Sequence, residues 1–539
     1  MSDYTGYQDT FAQNSLPPPE LLPDFLCSEL SYPPRLNCGV ELLDKMVTSG
    51  HADSPLFRQN GEVVTYQDTL CLCNKIANLL VNDLGMVSGA RVLLRGPNTL
   101  MLAACWLAVQ KAGGICVTTM PLLRSRELHY IIDKAKVDFC LCDGGFSEEI
   151  EKLQKNTPKL SSVLYFNTEN PDGLESLISS RSSEFENVDT AGQDISLIAF
   201  TSGTTGTPKA TMHTHQDVIV VCDLFPKSIL KANSSDIFVG TPPLAFTFGL
   251  GGLLLFPMRI GASIALLEKP SALNLLSVIQ TEGATVCFTS PTAYRAMLER
   301  ITEFDLSSLR RCVSAGEPLP VPTFDAWESV TDIRIIDGIG ATEMLHIFIS
   351  AADDQIVPGA TGKVVPGYEA AVLDPQGNPV PAGTVGLLAV KGPTGCRYLE
   401  DPDRQRDYVK NGWNMTGDAY VQDQDGYFWF HARADDMIIS SGYNISGIEV
   451  EAALLTHPDV SECGVVGCPD QDRGHIVKAF VVLREGVLAD HQKTRELQDY
   501  VKSQIAPYKY PRAIEFVSTL PRTETGKLQR FQLRSALNL

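Results

Sequence analysis

Long apolar segments and an excess of positive charge are both absent from this sequence. The most apolar stretch near its middle, residues 249–257, is too short and too broken by glycine to span a bilayer. The net charge of −20 argues against a surface for nucleic acid or for anionic membranes. No basic-then-apolar signal pattern opens the chain. We therefore expect a cytoplasmic enzyme that has neither nucleic acid nor a membrane as a partner.

Cysteine pairs with metal-ligand spacing are also missing. The 14 cysteines include no Cys-x-x-Cys pair and otherwise scatter through apolar context. This distribution indicates thiols of a packed core in a reducing compartment rather than a zinc site. His213 and His215 lie near the start of a predicted helix, and their spacing of two could suit a metal on a strand. Packing or hydrogen bonding is the simpler interpretation of both.

The chain does have enough length and apolar content for a large core. Its 539 residues are 44% hydrophobic, which predicts two or more domains. Short apolar strands alternate with helical patterns, as at 91–95, 100–113 and 137–142, which is typical of largely parallel sheets. A polar break of one Arg and two Asp then precedes a smaller α+β pattern. We therefore predict a large N-terminal α/β domain with mixed or parallel sheets, residues 1–434, and a small α+β domain on a hinge, residues 435–539.

A Ser/Thr/Gly-rich string follows the apolar strand predicted at 195–200. It reads Thr201-Ser202-Gly203-Thr204-Thr205-Gly206-Thr207-Pro208-Lys209. Glycine lets the backbone approach a ligand, and successive N–H groups and hydroxyls can surround a phosphate, with Lys209 adding positive charge. A plain turn between strands is the alternative. The P-loop of kinase-like NTPases is excluded, because the spacing differs and Ala210 follows the lysine.

Two further polar strings could serve a nucleotide. Thr342 and Glu343 follow the Gly-rich turn that begins at Asp337, and they could offer a hydroxyl to a phosphate and a carboxylate to Mg²⁺. Asp418 in a Thr-Gly-Asp triplet could accept two hydrogen bonds from a ribose diol. Each could also be structural, since Thr-Glu can start a helix and Thr-Gly-Asp is common in turns.

A third string, Phe246-Thr247-Phe248, places aromatic side chains on a turn. Pro242-Pro243 precedes it and three glycines follow within six residues. Taken alone, these aromatic residues would be core residues. On a turn, their faces and edges suit contact with a flat aromatic ligand.

These strings resemble the motifs of the adenylate-forming superfamily, which contains acyl- and aryl-CoA ligases, stand-alone adenylation domains and firefly-type luciferases. The resemblance covers nearly the whole chain, with its motifs in family order. Residues 337–348 look like benzoate-CoA ligases in particular, and residues 242–252 look most like 2-aminobenzoate-CoA ligases. Ile339 stands where many relatives have a Tyr that stacks on adenine, so the adenine contact here is expected to be purely apolar.

The resemblance implies a role for each matching position. It places the catalytic residues at Lys527, Thr342 and Glu343, with Glu343 also the ligand of Mg²⁺. It assigns ATP binding to Thr201, Ser202, Gly203, Thr204, Thr205, Gly206, Lys209, Gly316, Glu317, Pro318, Asp337, Gly338, Ile339, Thr342, Asp418, Arg433 and Lys527. It assigns the aromatic acid to a pocket lined by Phe246, Thr247, Phe248, Gly338, Ile339, Gly340 and His346. Asp435 would be the hinge, and Gly442 and Tyr443 would line the path of the CoA thiol.

We therefore predict an ATP-dependent aryl-CoA ligase that forms AMP and pyrophosphate, with ATP, Mg²⁺ and coenzyme A as cofactors and an aromatic carboxylate as substrate. A stand-alone adenylation enzyme that delivers an aryl acid to a carrier protein is the alternative. An amino-acid-activating domain is disfavoured. Such domains usually carry an Asp that holds the α-ammonium group, and residues 245–248 contain no Asp beside the aromatic Phe246. An oxygenase of luciferase type and a nucleotide-binding regulator without turnover are weaker alternatives. A homodimer is left open.

Overall fold

The structure is a computed structural model. It describes residues 7–26, 30–59, 61–156, 160–201, 208–433, 436, 438–440, 443–470, 474–505, 507–522 and 528–536. Within these ranges three sheets and the helices that cover them form a large N-terminal unit, and a further sheet belongs to a small C-terminal unit. The predicted fold class, a large α/β domain with mixed and parallel sheets followed by a small α+β domain, is confirmed.

The first sheet alternates strands and helices, as the apolar pattern predicts. Its six strands, in spatial order, are Ser162–Phe166, Phe139–Asp143, Arg91–Arg95, Ile115–Thr119, Ile195–Thr201 and Lys209–Thr214. The first five are parallel, and only the last pair is antiparallel. Parallel neighbours need a helical crossover, whereas an antiparallel pair needs only a short loop. The two ends of the Ser/Thr/Gly-rich string therefore lie side by side at one end of the sheet.

The second sheet is mixed. Its nine strands, in spatial order, are Lys363–Val364, Ile347–Ser350, Ile335–Gly340, Arg311–Ala315, Val286–Thr289, Ile237–Gly240, Ser263–Ala265, Pro55–Gln59 and Glu62–Thr65. The six central strands are parallel, and the outer ones are antiparallel. The carboxyl ends of the parallel strands meet at one edge of the sheet, where open α/β sheets commonly bind ligands.

The third sheet is wholly antiparallel. It contains Glu369–Leu373, Val385–Lys391, Trp413–Gln422 and Val409–Lys410, and Phe428–Arg433 also pairs with Trp413–Gln422. The segment that leaves this sheet after Lys391 returns to the first sheet. There Met212 N donates to the Arg397 carbonyl at 2.8 Å, and Leu399 N donates to the Ala210 carbonyl at 2.9 Å. The first and third sheets are thereby joined directly after the Ser/Thr/Gly-rich string.

The C-terminal unit packs helices on a small sheet. Its strands are Tyr443–Ile445, Ile438–Ser440, Gly474–Leu483, Val460–Asp470 and Ala513–Phe516, of which the last pairs parallel to Gly474–Leu483. Buried Val450, Val465 and Leu497 belong to its core. Strands cover the apolar stretches at 461–466 and 477–483, and helices cover those at 448–455 and most of 495–505, with most elements extending beyond the apolar residues.

Helix starts follow sequence signals closely. The α-helices of the described ranges are Phe11–Asn14, Tyr66–Asn78, Leu100–Lys111, Ser125–Ala135, Ser147–Asn156, Leu174–Ile178, His215–Phe225, Thr247–Leu250, Phe256–Arg259, Ala272–Glu282, Pro291–Leu298, Val321–Thr331, Pro402–Tyr408, Gly447–Leu455, His491–Gln504 and Arg530–Ser535. Thr65 and Asp68 form a reciprocal capping box, and the helix Tyr66–Asn78 begins directly after Thr65. Thr214 and Asp217 form a second one before His215–Phe225.

The Pro-rich N-terminal segment up to residue 36, which we call the lead-in, is described at 7–26 and 30–36. It is more deeply packed than its irregular composition suggests. Tyr7 is buried, and its hydroxyl lies 3.2 Å from His215 Nε2. Further along, Phe25 pairs with Gly392, and the Asp24 carboxylate lies 2.5 Å from Lys391 Nζ. The lead-in therefore contacts both the first and the third sheets.

The cysteines behave as core residues. Of those that the structure describes, all are buried except Cys71 and Cys468, which are half-buried. Burial raises the pKa of buried thiols such as Cys105 and Cys222 well above the usual value. These neutral thiols are poor nucleophiles. Over the same described residues, no helix combines the length and apolar character that crossing a membrane requires.

Candidate active site

The two ends of the Ser/Thr/Gly-rich string face each other at an edge of the first sheet. Thr201 and Lys209 are direct partners in the antiparallel ladder. Ser202, Gly203, Thr204, Thr205 and Gly206 lie outside the described residues. The Lys209 ammonium is 5.7 Å from the centre of the Tyr398 ring, within the range of a cation–π contact. The lysine is thereby held next to the segment that arrives from the third sheet.

Thr342 and Glu343 form a tight turn after the strand Ile335–Gly340. The turn is a single helical turn, Thr342–Met344, and Leu345 follows it with a φ of 68°. A bulky residue in the left-handed region is a strained conformation that persists only where the surroundings fix it. Around this turn those surroundings include the Thr394 hydroxyl, which donates to the Met344 carbonyl at 2.8 Å.

The Glu343 carboxylate is buried against a tyrosine that the motif analysis does not include. The Tyr398 hydroxyl donates to Glu343 Oε1 at 2.6 Å. Burial, together with the neighbouring carboxylate, raises the pKa of Tyr398 far above its usual value, so the phenol stays protonated and acts as the donor. One oxygen of Glu343 is engaged in this way.

A second chain of contacts reaches the backbone of the same turn. His213 Nε2 lies 2.8 Å from the Thr342 carbonyl, which can only accept, so Nε2 carries the proton. His213 Nδ1 lies 3.6 Å from Asp217 Oδ2, and the same carboxylate oxygen accepts from Arg397 Nη1 at 2.6 Å. The three side chains are buried. His213 lies on the strand Lys209–Thr214 and only His215 begins the helix, and both side chains make hydrogen-bonding contacts within the fold.

The Asp217 carboxylate remains ionised within this chain. Burial alone would raise its pKa, but the Arg397 guanidinium and His213 outweigh that effect and bring the pKa down to about 2. The Arg397–Asp217 pair is therefore a buried ion pair at any ordinary pH, and removing either partner would leave an uncompensated buried charge.

The segments predicted to contact adenine lie at the carboxyl ends of neighbouring strands of the second sheet. Ala315, just before Gly316, pairs with Gly338. The Glu317 carboxylate accepts from Thr292 N at 2.9 Å, while Pro318 is exposed to solvent. Burial raises the pKa of Asp337, on the adjoining strand, to about 8, so its carboxyl is largely protonated at neutral pH. Ile339 is half-buried and offers the apolar surface expected from the sequence.

The predicted ribose contacts are register partners. Asp418 pairs with Arg433 across the third sheet, and Asp418 is buried. The Asp418 amide donates to the Thr416 hydroxyl at 3.2 Å, which fixes the backbone of the Thr-Gly-Asp triplet.

The predicted acid-binding residues surround a cluster of aromatic rings. The ring of Phe248 lies 5.5 Å from that of Phe288 and 5.9 Å from the imidazole of His346. His346 is buried and lies 4.4 Å, edge to face, from Phe256. Phe246 and Thr247 are half-buried at the start of the short helix Thr247–Leu250.

His346 is an unusual member of this cluster. Among the residues that the structure describes, neither of its buried ring nitrogens has a partner that meets hydrogen-bond geometry, and the Phe248 backbone offsets the effect of burial on its pKa only in part. Burial lowers its pKa to about 3, so the imidazole is neutral at physiological pH. Unsatisfied buried polar atoms are rare and need an explanation, and a bound ligand is one.

Glycines set the dimensions of the aromatic cluster. A Cβ on Gly251 would lie 2.3 Å from the His346 ring, and a Cβ on Gly252 would lie 2.5 Å from the Phe288 ring. A Cβ on Gly338 would lie 2.9 Å from Ile347. Side chains at these positions would displace the rings, so the glycines keep them close to the end of the second sheet.

Several predicted residues belong to the C-terminal unit. Lys527, Gly442 and Asp435 lie outside the described residues. The backbone of Tyr443 begins the strand Tyr443–Ile445. The roles of these four residues therefore stay predictions.

Family profiles match most of the chain. The profile described as AMP-binding enzyme matches residues 45–397, and that of the AMP-binding enzyme C-terminal domain matches residues 449–527. The chain belongs to the AMP-binding enzyme family. The resemblance inferred from the motifs is thus confirmed.

Individual relatives narrow the comparison. The chain is 35% identical to the anthranilate CoA ligase AuaEII, solved in complex with anthranoyl-AMP, with a TM-score of 0.89 over 94% of this chain and 98% of that one. It is 30% identical to a benzoate CoA ligase from Burkholderia xenovorans LB400, with a TM-score of 0.84 over 93% and 100%. It is 32% identical to the benzoate–CoA ligase of Thauera aromatica over 94% of this chain and 97% of the relative.

This member of the AMP-binding enzyme family is accordingly an AMP-forming acid–thiol ligase, a class that uses ATP and coenzyme A. The motifs do not include Tyr398, Arg397 or Asp217, which approach the Thr342–Glu343 turn directly or by way of His213. For Asp217, the Thr214-x-x-Asp217 spacing of a capping box is visible in the sequence. Tyr398 and Arg397 have no local signal, because their contacts join residues 55 and 180 positions apart.

Proposed function

We propose that this ligase activates an aromatic carboxylic acid of the benzoate type, with 2-aminobenzoate as the preferred substrate. The acid oxygen attacks the α-phosphorus of ATP, an O–P bond forms, and pyrophosphate leaves. The CoA thiol, losing its proton, then attacks the acyl carbon of the aryl-AMP. A C–S bond forms, the C–O bond to phosphate breaks, and AMP leaves.

The observation that carries the substrate assignment is the buried, unpaired His346 inside the aromatic cluster. Phe248 and Phe288 provide faces and edges for a flat ring, and a neutral imidazole can accept from an amine or donate to an oxygen. An ortho amino group on the ring would give His346 a partner, and Thr247, next to Phe248 in the sequence, offers a hydroxyl. The similarity to a ligase solved with anthranoyl-AMP supports this choice.

The nucleotide would be held by the groups at the junction of the three sheets. Thr201–Gly206 with Lys209 would surround the phosphates. Gly316–Pro318 with Asp337–Ile339 would contact adenine, and Asp418 with Arg433 would hold the ribose. The short contacts that hold the Thr342–Glu343 turn support its placement beside the phosphates.

Mg²⁺ fits the same turn chemically. The Glu343 carboxylate is a hard oxygen ligand, and only one of its oxygens accepts from Tyr398. A bound Mg²⁺ would spread the polyphosphate charge. On this proposal Glu343 holds the ion and Thr342 offers its hydroxyl to phosphate.

The two half-reactions would use different faces of the C-terminal unit. Lys527 would stabilise the charge that develops between the carboxylate and the α-phosphate. Gly442 and Tyr443 would line the thiol path after rotation about Asp435, with the boundary of the two domains at 434/435. The support for this part is the order of the family motifs.

Turnover of benzoate, 2-aminobenzoate, salicylate, 4-hydroxybenzoate and acetate with ATP and CoA tests the proposal. We expect 2-aminobenzoate to have the highest kcat/KM and acetate to be a poor substrate, because acetate leaves the aromatic walls unfilled. Acetate turnover comparable to that of the aryl acids would refute the assignment. Adenylation of aryl acids without transfer to CoA would instead favour the carrier-protein alternative.

A further inference from the structure

Two adjacent residues reach the Thr342–Glu343 turn from the third sheet by different routes. Tyr398 binds the side chain of Glu343 directly, at 2.6 Å. Arg397 bonds to Asp217 at 2.6 Å, Asp217 Oδ2 lies 3.6 Å from His213 Nδ1 as an electrostatic contact rather than a hydrogen bond, and His213 Nε2 lies 2.8 Å from the Thr342 carbonyl. We call Arg397 and Tyr398 the clamp pair.

The clamp pair is paired in fixed register with the strand that follows the Ser/Thr/Gly-rich string. Hydrogen bonds from Met212 N and Leu399 N fix the segment antiparallel to Lys209–Thr214, and Thr211 is the bridge partner of Tyr398. Successive side chains of an extended segment point to opposite sides. One residue of the pair can therefore hold the carboxylate while its neighbour supports the carbonyl.

The contacts are too polar and too buried to be explained by packing alone. Tyr398 is 1% exposed, Glu343 7%, and His213 is fully buried. In such surroundings each polar group without its partner is strongly unfavourable. Leu345, at positive φ, follows the turn directly, so these contacts fix backbone that would otherwise relax.

We propose that Arg397 and Tyr398 are positioning residues for the adenylation step, Tyr398 orienting the Glu343 carboxylate and Arg397 fixing the turn backbone through Asp217 and His213. This inference rests on the proposed function of Thr342 and Glu343 in binding Mg·ATP. Neither residue of the clamp pair is expected to touch the acid or CoA. Their loss should change nucleotide and metal handling and leave thioester formation from supplied aryl-AMP intact.

Tyr398→Phe is the sharpest test, because it removes only the hydroxyl. Loss of a side chain that orients a metal ligand typically lowers metal affinity by about 10–100-fold. We expect the Mg²⁺ concentration for half-maximal pyrophosphate exchange to rise about tenfold, with most of the rate recovered at saturating Mg²⁺. Tyr66→Phe is the matched control: Tyr66 is equally buried and donates to the Ala262 carbonyl at 2.8 Å, outside the clamp.

Arg397→Lys and Arg397→Met test the other route. The lysine keeps the positive charge opposite Asp217, so we expect Arg397→Lys to retain more pyrophosphate exchange activity than Arg397→Met. Hydrogen exchange should also report the change, because the amides of Met344 and Leu345 close the turn onto Ala341 and Thr342. These amides should exchange faster in Arg397→Met and stay protected in Arg310→Met, which breaks the Arg310–Asp236 ion pair elsewhere in the fold.

Calorimetric titration of Mg·ATP separates this inference from the proposed substrate. The titration needs no acid, so a weakened interaction in Tyr398→Phe supports the clamp pair even if aryl acids prove not to be the substrates. Wild-type Mg²⁺ dependence and wild-type Mg·ATP affinity in a folded Tyr398→Phe would overturn the role of Tyr398. Unchanged exchange at Met344 and Leu345 in folded Arg397→Met would overturn the role of Arg397.

Discussion

The two sides of the candidate site are held in opposite ways. On the nucleotide side, the Thr342–Glu343 turn is fixed by short hydrogen bonds and a buried ion pair, and its groups have named partners. On the proposed acid side, rings and glycines set the shape, and the buried His346 nitrogens have no partner of hydrogen-bond geometry among the described residues. On the proposed assignment, chemistry common to all substrates would be fixed by contacts within the protein, and selectivity would depend on a group that the bound acid satisfies.

The largest effect should come from the C-terminal unit, which would serve only the nucleotide side during adenylation. Lys527→Ala should lower aryl-AMP formation about 10²-fold or more, the scale of removing one preorganised charge. It should still convert supplied aryl-AMP and CoA to thioester. Separate assays of the two half-reactions measure this split.

Gly442→Leu is the counterpart, and it should form aryl-AMP but stall before the thioester. An unchanged Tm would show that the thiol path is blocked and that the domain is still folded. If both folded variants lost both half-reactions equally, the assignment of the two faces would be wrong.

Glu343→Gln should come next, because a neutral amide is a poorer ligand for a hard cation. We expect adenylation at limiting Mg²⁺ to fall about 10–100-fold, with the same factor for every acid. Pyrophosphate exchange at several Mg²⁺ concentrations checks this. Unchanged exchange at limiting Mg²⁺ would show that Glu343 is structural. A loss that differed between acids would contradict the assignment of Glu343 to the nucleotide side alone.

Phe248→Ala should show the reverse pattern. Removal of a buried aromatic contact costs about 2–4 kcal/mol, and Phe248 is only half-buried, so we expect the lower end. The KM for the aryl acid should rise about 30-fold while the KM for ATP changes little. Steady-state kinetics with each substrate varied in turn measure this, and equal shifts in both KM values would count against the pocket.

His346→Leu should have a smaller effect that depends on the ring substituent. If His346 binds the ortho amine, kcat/KM for 2-aminobenzoate should fall about tenfold, while that for benzoate should stay within a factor of about three. A larger loss for benzoate than for 2-aminobenzoate would remove His346 from the specificity argument.

A last prediction concerns stability against pH. Burial lowers the pKa of His346 to about 3, whereas the unfolded chain takes up this proton near pH 6.5. Stability is therefore retained above about pH 6.5 and lost as the pH falls toward 3, by up to about 1.4 kcal/mol per pH unit. In His346→Leu, the unfolding free energy should fall less steeply between pH 6 and 4, because unfolding then takes up one proton fewer. Urea titration at each pH measures this difference. His215, with a similar pKa, should keep the remaining slope.

Sequence reasoning was strongest where a local pattern decides the structure. The strand predicted at 195–200, the helix start at Thr65 and the order of strands and helices follow from apolar periodicity and capping, and the structure contains them. His213 was less well placed, because the strand after the Ser/Thr/Gly-rich string continues to Thr214. The antiparallel pairing with Ile195–Thr201 extends it to that residue, and no local signal reports such pairing.

The contacts between sheets could not be predicted from local patterns. Tyr398 and Arg397 lie on an irregular segment, and their partners are fixed only when the first and third sheets come together. For His346, the position could be predicted but the environment could not. Its place beside the acid pocket came from the resemblance, but its lack of partners depends on the packing of four phenylalanine rings around it.

The packed lead-in also has a consequence for the order in which the protein is made. Phe25 lies under the Arg397 guanidinium, 4.4 Å from it, and Asp24 N bonds to the Gly412 carbonyl. A growing chain synthesises this segment almost four hundred residues before its partners, so the site would be completed late in translation. We expect nascent chains arrested before residue 391 to leave the stretch around Asp24 and Phe25 sensitive to protease, and chains extended past residue 433 to protect it. Protection of this stretch in the shorter chains would show that it has other partners first.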